Sequence, residues 1–253
     1  MYLLIQISRA IKNAALLYIE KESSTFCIFD QVTTTHVKMK ALVIGATGAT
    51  GKDLLDLLLK DSRFNRVDVF VRRPLAIQHE KLSVHLIDFD QVEQWQDLVQ
   101  GDVLFSCLGT TLKAAGSKEA QWKIDYDYQY NFAKAARHNH VPSLVLVSAA
   151  MASPSSMFFY SKMKGQLEEA VKALDFPHLS IFNPPTLVRK DSDRGGEKRA
   201  VNIIKWFNKI GLLSNQRPLP TTVLAQALLH ASLDRSYRYR SYAGQQIWEY
   251  ASK

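Results

Sequence analysis

The stretch ALVIGATGATGKD, residues 41–53, decides how the rest of the chain is read. An apolar run breaks into glycines at 45, 48 and 51, then continues as GKDLLDLLLKD, whose leucines recur at helical spacing. The pattern predicts a buried strand over 40–46 followed by an amphipathic helix. The closing Gly51-Lys52 imitates a P-loop, but that motif needs glycine where Ala46 stands and Ser or Thr where Asp53 stands. A carboxylate beside a triphosphate would repel it, so a kinase or NTPase loop is rejected. What remains is G-x-x-G-x-x-G between a strand and a helix. There glycine permits a tight turn and close backbone approach, and the helix amino terminus offers free N–H groups to an anion. Gly45, Thr47, Gly48, Ala49, Thr50 and Gly51 are the candidate residues for a dinucleotide pyrophosphate.

The next strand, RVDVFVRR (66–73), supplies the second clue. NAD-binding units carry an acidic residue about 20 positions past the loop, which bonds the ribose 2′-hydroxyl. Here the strand ends in Val71-Arg72-Arg73-Pro74. Two guanidiniums at that point suit a 2′-phosphate, which they grip through charge-assisted forks. NADP(H) is therefore the expected cofactor.

Further strands are predicted at 82–89, 103–109, 143–150 and 179–185, separated by helices at VEQWQDLVQ, at roughly 118–139, and at FFYSKMKGQLEEAVKAL. Strands alternating with helices of this length predict a doubly wound parallel α/β sheet, Rossmann-like, in a single domain. After Pro185 the rhythm is lost, and residues 186–220 are expected to be a small C-terminal substrate-covering segment containing a helix around Trp206. That helix serves equally well as a cover over the substrate or as core.

Tyr160 and Lys164 stand four apart on one helix. A tyrosine hydroxyl with its ordinary pKa of about 10 is a poor acid or base near neutrality, and a neighbouring ammonium is expected to lower it. Tyrosine can then exchange a proton with a carbonyl oxygen while a nicotinamide exchanges a hydride. Ser148, at the end of the fifth strand, is the expected hydroxyl partner, with Ser155 and Ser156 as alternates.

Taken together, VIGATGATGK, VRRP, LIDFD, FSCLGTT with KIDYDY, LVLVSAA and FFYSKMKGQLEE resemble the atypical short-chain dehydrogenase/reductases, specifically the Tat-interacting-protein (CC3) group and its bacterial relatives. The resemblance runs from Met39 to near the carboxyl end. It implies an NADPH-dependent oxidoreductase acting on a small carbonyl or alcohol, with Tyr160, Lys164 and Ser148 as catalytic residues. It also implies Asp88 near the adenine, Leu108 and Gly109 along the cofactor, and Arg72 and Arg73 at the 2′-phosphate. Relatives often show Arg-Pro-Gly after the sixth strand, where this chain has Asn183-Pro184-Pro185. Pro184 is thereby placed near the nicotinamide, at an altered substrate end. The alternative in a different class is an NADPH-sensing regulator with little turnover; a sugar-nucleotide epimerase would need a larger segment after Pro185.

Composition sets the outer limits. The 253 residues are 47% hydrophobic with a formal charge of +8, and no apolar run reaches the ~18 residues of a membrane span. The basic residues are dispersed, and their densest cluster, RSYRYRSY (235–242), is read as a late strand with arginines and tyrosines on opposite faces rather than as a nucleic-acid surface. Cys27 and Cys107 sit among apolar neighbours, as buried thiols do in a reducing compartment, and a cytoplasmic location is expected. No metal site is expected: His138 and His140 stand at a polar helix exit with no third ligand nearby. Expected partners are a small-molecule substrate and a second copy or a protein partner, without nucleic acid or stable membrane insertion. Residues 1–38 stand apart and allow an extra docked helix or an amphipathic surface helix, but the preferred reading makes Met39 the natural start.

Overall fold

A computed structural model of the chain describes residues 38–188 and 218–253. The N-terminal extension and most of the 186–220 segment, Trp206 included, lie outside the described residues.

The chain opens on strand β1 (Met39–Ile44), passes through the glycine loop into helix α1 (Ala49–Lys60), and returns as β2 (Phe64–Val71) and β3 (Leu82–Leu86). A short helix α2 (Val92–Trp95) leads to β4 (Val103–Ser106). Helices α3 (Leu112–Ala115), α4 (Lys118–Trp122) and α5 (Tyr128–His138) follow, then β5 (Ser143–Val147), α6 (Phe159–Ala173) and β6 (His178–Asn183). Beyond these lie β7 (Leu187–Val188), β8 (Leu219–Pro220), α7 (Thr221–Leu233), β9 (Tyr239–Ala243) and α8 (Gln245–Ala251).

Seven strands form one sheet in the order β3-β2-β1-β4-β5-β6-β9, and every pairing is parallel. This is the doubly wound, Rossmann-like α/β sheet expected from the sequence. The reason lies in two-residue alternation within strands that are apolar on both faces. Ala41 and Val43 join Leu54, Leu55 and Leu58 of α1 and Leu224 and Leu228 of α7 on one face. Leu42 and Ile44 join Phe132 and Ala136 of α5 and Leu167 and Val171 of α6 on the other. Strand order reverses between β1 and β4, which opens a crevice at their carboxyl ends.

Three local features differ from the sequence-based expectation. The helix expected over 118–139 is continuous but not uniform, because residues Lys123–Asp127 between α4 and α5 wind as a π-helical turn. Helix α7 went unforeseen because Val223, Leu224, Ala225, Ala227, Leu228, Leu229 and Ala231 give it apolar residues nearly all round, and an amphipathic stripe never appears. In the late strand, Arg240 and Tyr242 share a face instead of opposing one another. The Arg240 guanidinium lies 4.2 Å over the Tyr237 ring, and Tyr242 stacks on Phe182 at 4.5 Å, so this basic–aromatic cluster packs the sheet edge.

Three strands are tied by one buried acid. Asp68 of β2, 1% exposed, bonds Lys40 Nζ of β1 at 2.8 Å, Arg66 Nε at 2.7 Å and His85 Nε2 of β3 at 3.0 Å. Burial alone would raise its carboxyl, but the hydrogen bonds from Lys40, Arg66 and His85 outweigh that and hold it below the usual carboxylate range. A lowered pKa contributes stability above the unfolded value of about 4, which is lost as pH falls through the folded value. Asp68→Asn is therefore expected to lower the thermal midpoint at pH 7, and the gap from wild type should close in scans run below about pH 4.

Candidate active site

Because the strands are parallel, every loop singled out in the sequence emerges at one edge of the sheet. The glycine loop leaves β1, Arg72 and Arg73 follow β2, Asp88 follows β3, Cys107 to Thr110 follow β4, Ser148 follows β5, and Pro184 follows β6.

The glycine loop is shaped by contacts that tolerate no side chain. Gly45 adopts φ +83°, and a Cβ there would stand 2.4 Å from the Cys107 carbonyl carbon across the crevice. A Cβ on Gly51 would stand 2.1 Å from the Gly45 carbonyl oxygen, so only glycine lets the first turn of α1 close onto β1. The Gly48 N–H donates to that same carbonyl at 2.9 Å. Gly48 caps α1 without a side-chain hydrogen bond, and the first turn holds no acidic residue. A missing cap costs about 1 kcal/mol. Burial of Leu54, Leu55, Leu58 and Leu59 at about 2 kcal/mol each more than offsets it. The uncapped N–H groups and exposed Thr47 and Gly48 form a cradle suited to a pyrophosphate. Ala49 and the buried Thr50 continue it into the helix. Asp53, the residue that spoils the P-loop, accepts a hydrogen bond from Thr221 Oγ1 at 2.6 Å and so ties α1 to the start of α7.

Arg72 and Arg73 are exposed just past the end of β2, and neither enters an ion pair among the described residues. Asp88 turns the chain after β3, its Oδ1 accepting from Asp90 N–H at 3.0 Å. Pro184 is buried, and its carbonyl accepts from Ala150 N–H at 3.0 Å.

Helix α6 carries Tyr160 and Lys164. Tyr160 lies in its first turn, 39% exposed, and Lys164 one turn deeper is 1% exposed. The ammonium is not free. Its Nζ stands 3.3 Å from Oδ1 of Asp125, an entirely buried residue of the π-helical turn, and donates to that residue's main-chain oxygen at 3.5 Å. The other carboxylate oxygen accepts from Thr110 N–H at 3.1 Å, so Asp125 joins the lysine to the loop after β4. Burial holds Lys164 below its usual value, and burial raises Asp125. Sequence reasoning expects Lys164 to lower the Tyr160 hydroxyl, but the structure reverses this. Partial burial and then the Asp125 charge push Tyr160 well above the usual tyrosine range.

Ser148 Oγ is bonded within the protein. It donates to Glu168 Oε1 at 2.5 Å, and Asn183 Nδ2 donates to the same oxygen at 2.6 Å. Asp125 and Glu168 are the two residues the sequence reading missed. Glu168 had a legible signal, because Tyr160, Lys164 and Glu168 follow at i, i+4 and i+8 along α6.

Residues 45–199 match the NAD(P)H-binding family. Protein FMP52, mitochondrial, of Saccharomyces cerevisiae is 38% identical over 164 residues, covering 62% of this chain and 71% of that protein. Protein HTATIP2 of Rattus norvegicus is 34% identical over 160 residues, covering 61% and 66%. The Bordetella bronchiseptica enzyme WbmH, solved in complex with NAD+, shares the fold, with a TM-score of 0.63 at 16% identity over 85% of this chain and 79% of that one. The chain belongs to the NAD(P)H-binding family, and its relatives FMP52 and HTATIP2 fit the resemblance to the atypical short-chain dehydrogenase/reductases. The FMP52 relatives are named mitochondrial, which overturns the cytoplasmic location expected from the cysteines. Among the described residues no helix is long and apolar enough to cross a membrane.

The Asp125–Tyr160 coupling is directly checkable. Asp125→Asn keeps the side chain's size and removes its charge, so Tyr160 is expected to ionise at lower pH. Tyrosinate absorbance read against a Tyr160→Phe background measures this, and an unchanged midpoint would remove Asp125 from the account.

Proposed function

We propose that the protein is an NADPH-dependent oxidoreductase that interconverts a small carbonyl compound and its alcohol. The observation that carries this reading is the placement of Tyr160 over the buried Lys164–Asp125 pair at the sheet edge that also holds the glycine cradle. When bound, the nicotinamide supplies the hydride.

The chain's own residues would do the rest. The amino end of α1 and Gly45 to Gly51 would meet the pyrophosphate, and the guanidiniums of Arg72 and Arg73, without an ion pair among the described residues, favour a 2′-phosphate over a bare hydroxyl. By the family resemblance Asp88 would lie toward the adenine, Leu108 and Gly109 would line the cofactor, and Pro184 would stand near the nicotinamide. Lys164 and Asp125 Oδ1, which lacks a hydrogen-bond partner among the described residues, are the groups a ribose diol would satisfy. Tyr160 gives its hydroxyl proton to the carbonyl oxygen as the carbon is reduced, leaving the alcohol. Its raised pKa makes the hydroxyl a weaker acid than an ordinary tyrosine, which counts against this step rather than for it.

One observation favours a second reading, an NADPH-sensing regulator with little turnover. Ser148 spends its only O–H on Glu168 and has no proton left for a substrate oxygen.

Tyr160→Phe is expected to keep NADPH affinity by fluorescence titration and to lose turnover by about 10²–10⁴-fold. Undiminished turnover would sink the mechanism, and NADPH binding without turnover of any carbonyl in wild type would favour the sensor. Arg72→Ala combined with Arg73→Ala is expected to weaken NADPH far more than NADH. Equal losses for the two cofactors would count against a 2′-phosphate grip.

A further inference from the structure

A cleft of about 680 Å³ opens beside this site, at the carboxyl ends of β6 and β9 and under the loop that follows β5. Glu168, Asn183, Ser241, Ala150, Gln245 and Gln246 are among its lining residues. Its floor is a hydrogen-bond chain whose direction is fixed. Asn183 Nδ2 must donate, since it faces the Ala149 carbonyl at 3.1 Å and the Glu168 carboxylate at 2.6 Å. Asn183 Oδ1 is then the acceptor, and Ser241 Oγ donates to it at 2.9 Å. Behind the floor, Ser148 donates to Glu168 Oε1.

The hydroxyl and amide protons of Ser148, Asn183 and Ser241 are thus all spent within this floor. A carboxylate only accepts, and a serine has a single O–H to give. The floor therefore has acceptors left and no donors. These are the second oxygen of Glu168, which has no partner among the described residues, and the spare lone pairs of Ser241 and Asn183. Glu168 is 9% exposed and lines the cleft, so a ligand that donates to its second oxygen binds in preference to one that cannot. No lysine, arginine or histidine is among the described residues lining the cleft, so the described lining offers a carboxylate-bearing ligand like charge and no cation. On the wall, Gln246 accepts from Ala243 N–H through Oε1, and its amide N–H groups remain to donate. A hydroxyl can answer both, giving its proton to the floor and accepting from the wall.

We infer that this cleft is a substrate subsite for neutral, hydroxyl-bearing carbonyl compounds, with Glu168 as the acceptor that selects them. The inference rests on the oxidoreductase reading above and gives it a substrate class. Three matched three-carbon ketones test it on the full chain with NADPH: acetone, dihydroxyacetone and pyruvate. Dihydroxyacetone is expected to exceed acetone in kcat/KM by about tenfold or more, with pyruvate below both. In Glu168→Gln, an acceptor becomes a donor and the charge is lost. The dihydroxyacetone-to-acetone ratio should then fall toward one and the pyruvate-to-acetone ratio should rise. A variant that lowers all three equally, or a wild type without preference, overturns the subsite.

Saturation-transfer NMR of dihydroxyacetone against acetone, with NADP+ present, reads the same subsite without turnover. A dihydroxyacetone signal that is strong in wild type and lost in Glu168→Gln supports the inference even in a chain that reduces nothing. Equal signals for the two ketones overturn it. Failure of the oxidoreductase reading shows separately, as absent turnover with all three.

Discussion

The carbonyl of Gly45 is a point where three segments meet too closely for a side chain, and the glycine cradle is arranged around it. Helix α1 begins against it, the Gly48 N–H bonds to it, and the loop after β4 closes over the same residue. With side chains excluded from 45 and 51, the helix axis aims its uncapped amino end at the crevice where strand order reverses. A side chain at either glycine would push α1 or the β4 loop outward, and the cradle would lose its shape before its chemistry. The leucines on the core side of α1 hold the arrangement in place, which lets the helix keep an end that local capping would otherwise satisfy.

At the other side of the crevice the governing constraint is electrostatic. One face of α6 carries Tyr160, Lys164 and Glu168, and the π-helical turn brings Asp125 to the same buried place. One ammonium stands against two carboxylates, so the cluster leans negative in surroundings where unpaired charge is expensive. The lysine is therefore held by the protein before any cofactor contributes. The tyrosine feels the acid behind the lysine and keeps its proton.

Much of this was legible in the sequence, and the exceptions have physical causes. The strand–helix alternation, the glycine spacing and the two arginines could be read because each is a local pattern with a local cause. The strands end earlier than the runs read for them, since residues such as Arg72, Arg73 and Leu108 belong to the loops that leave the sheet. Helix α7 escaped because an element apolar on nearly all sides has no periodicity to detect. Asp125 escaped for a different reason. Its role depends on a change of helical winding and on a lysine 39 positions away, and neither leaves a mark in short-range spacing. Ser148 was found at the end of β5 as expected, but its partner was set by Glu168 from another element.

The π-helical turn of residues 123–127 has a consequence for how such a site is inherited. A π turn holds one residue more than an α turn, and each residue in a helix advances the side-chain direction by about 100°. Removing a single residue there would restore plain winding and rotate a neighbour into the place of Asp125, with α5 and its core contacts left as they are. The acid behind the lysine is thus specified by a count of residues as well as by the identity of one.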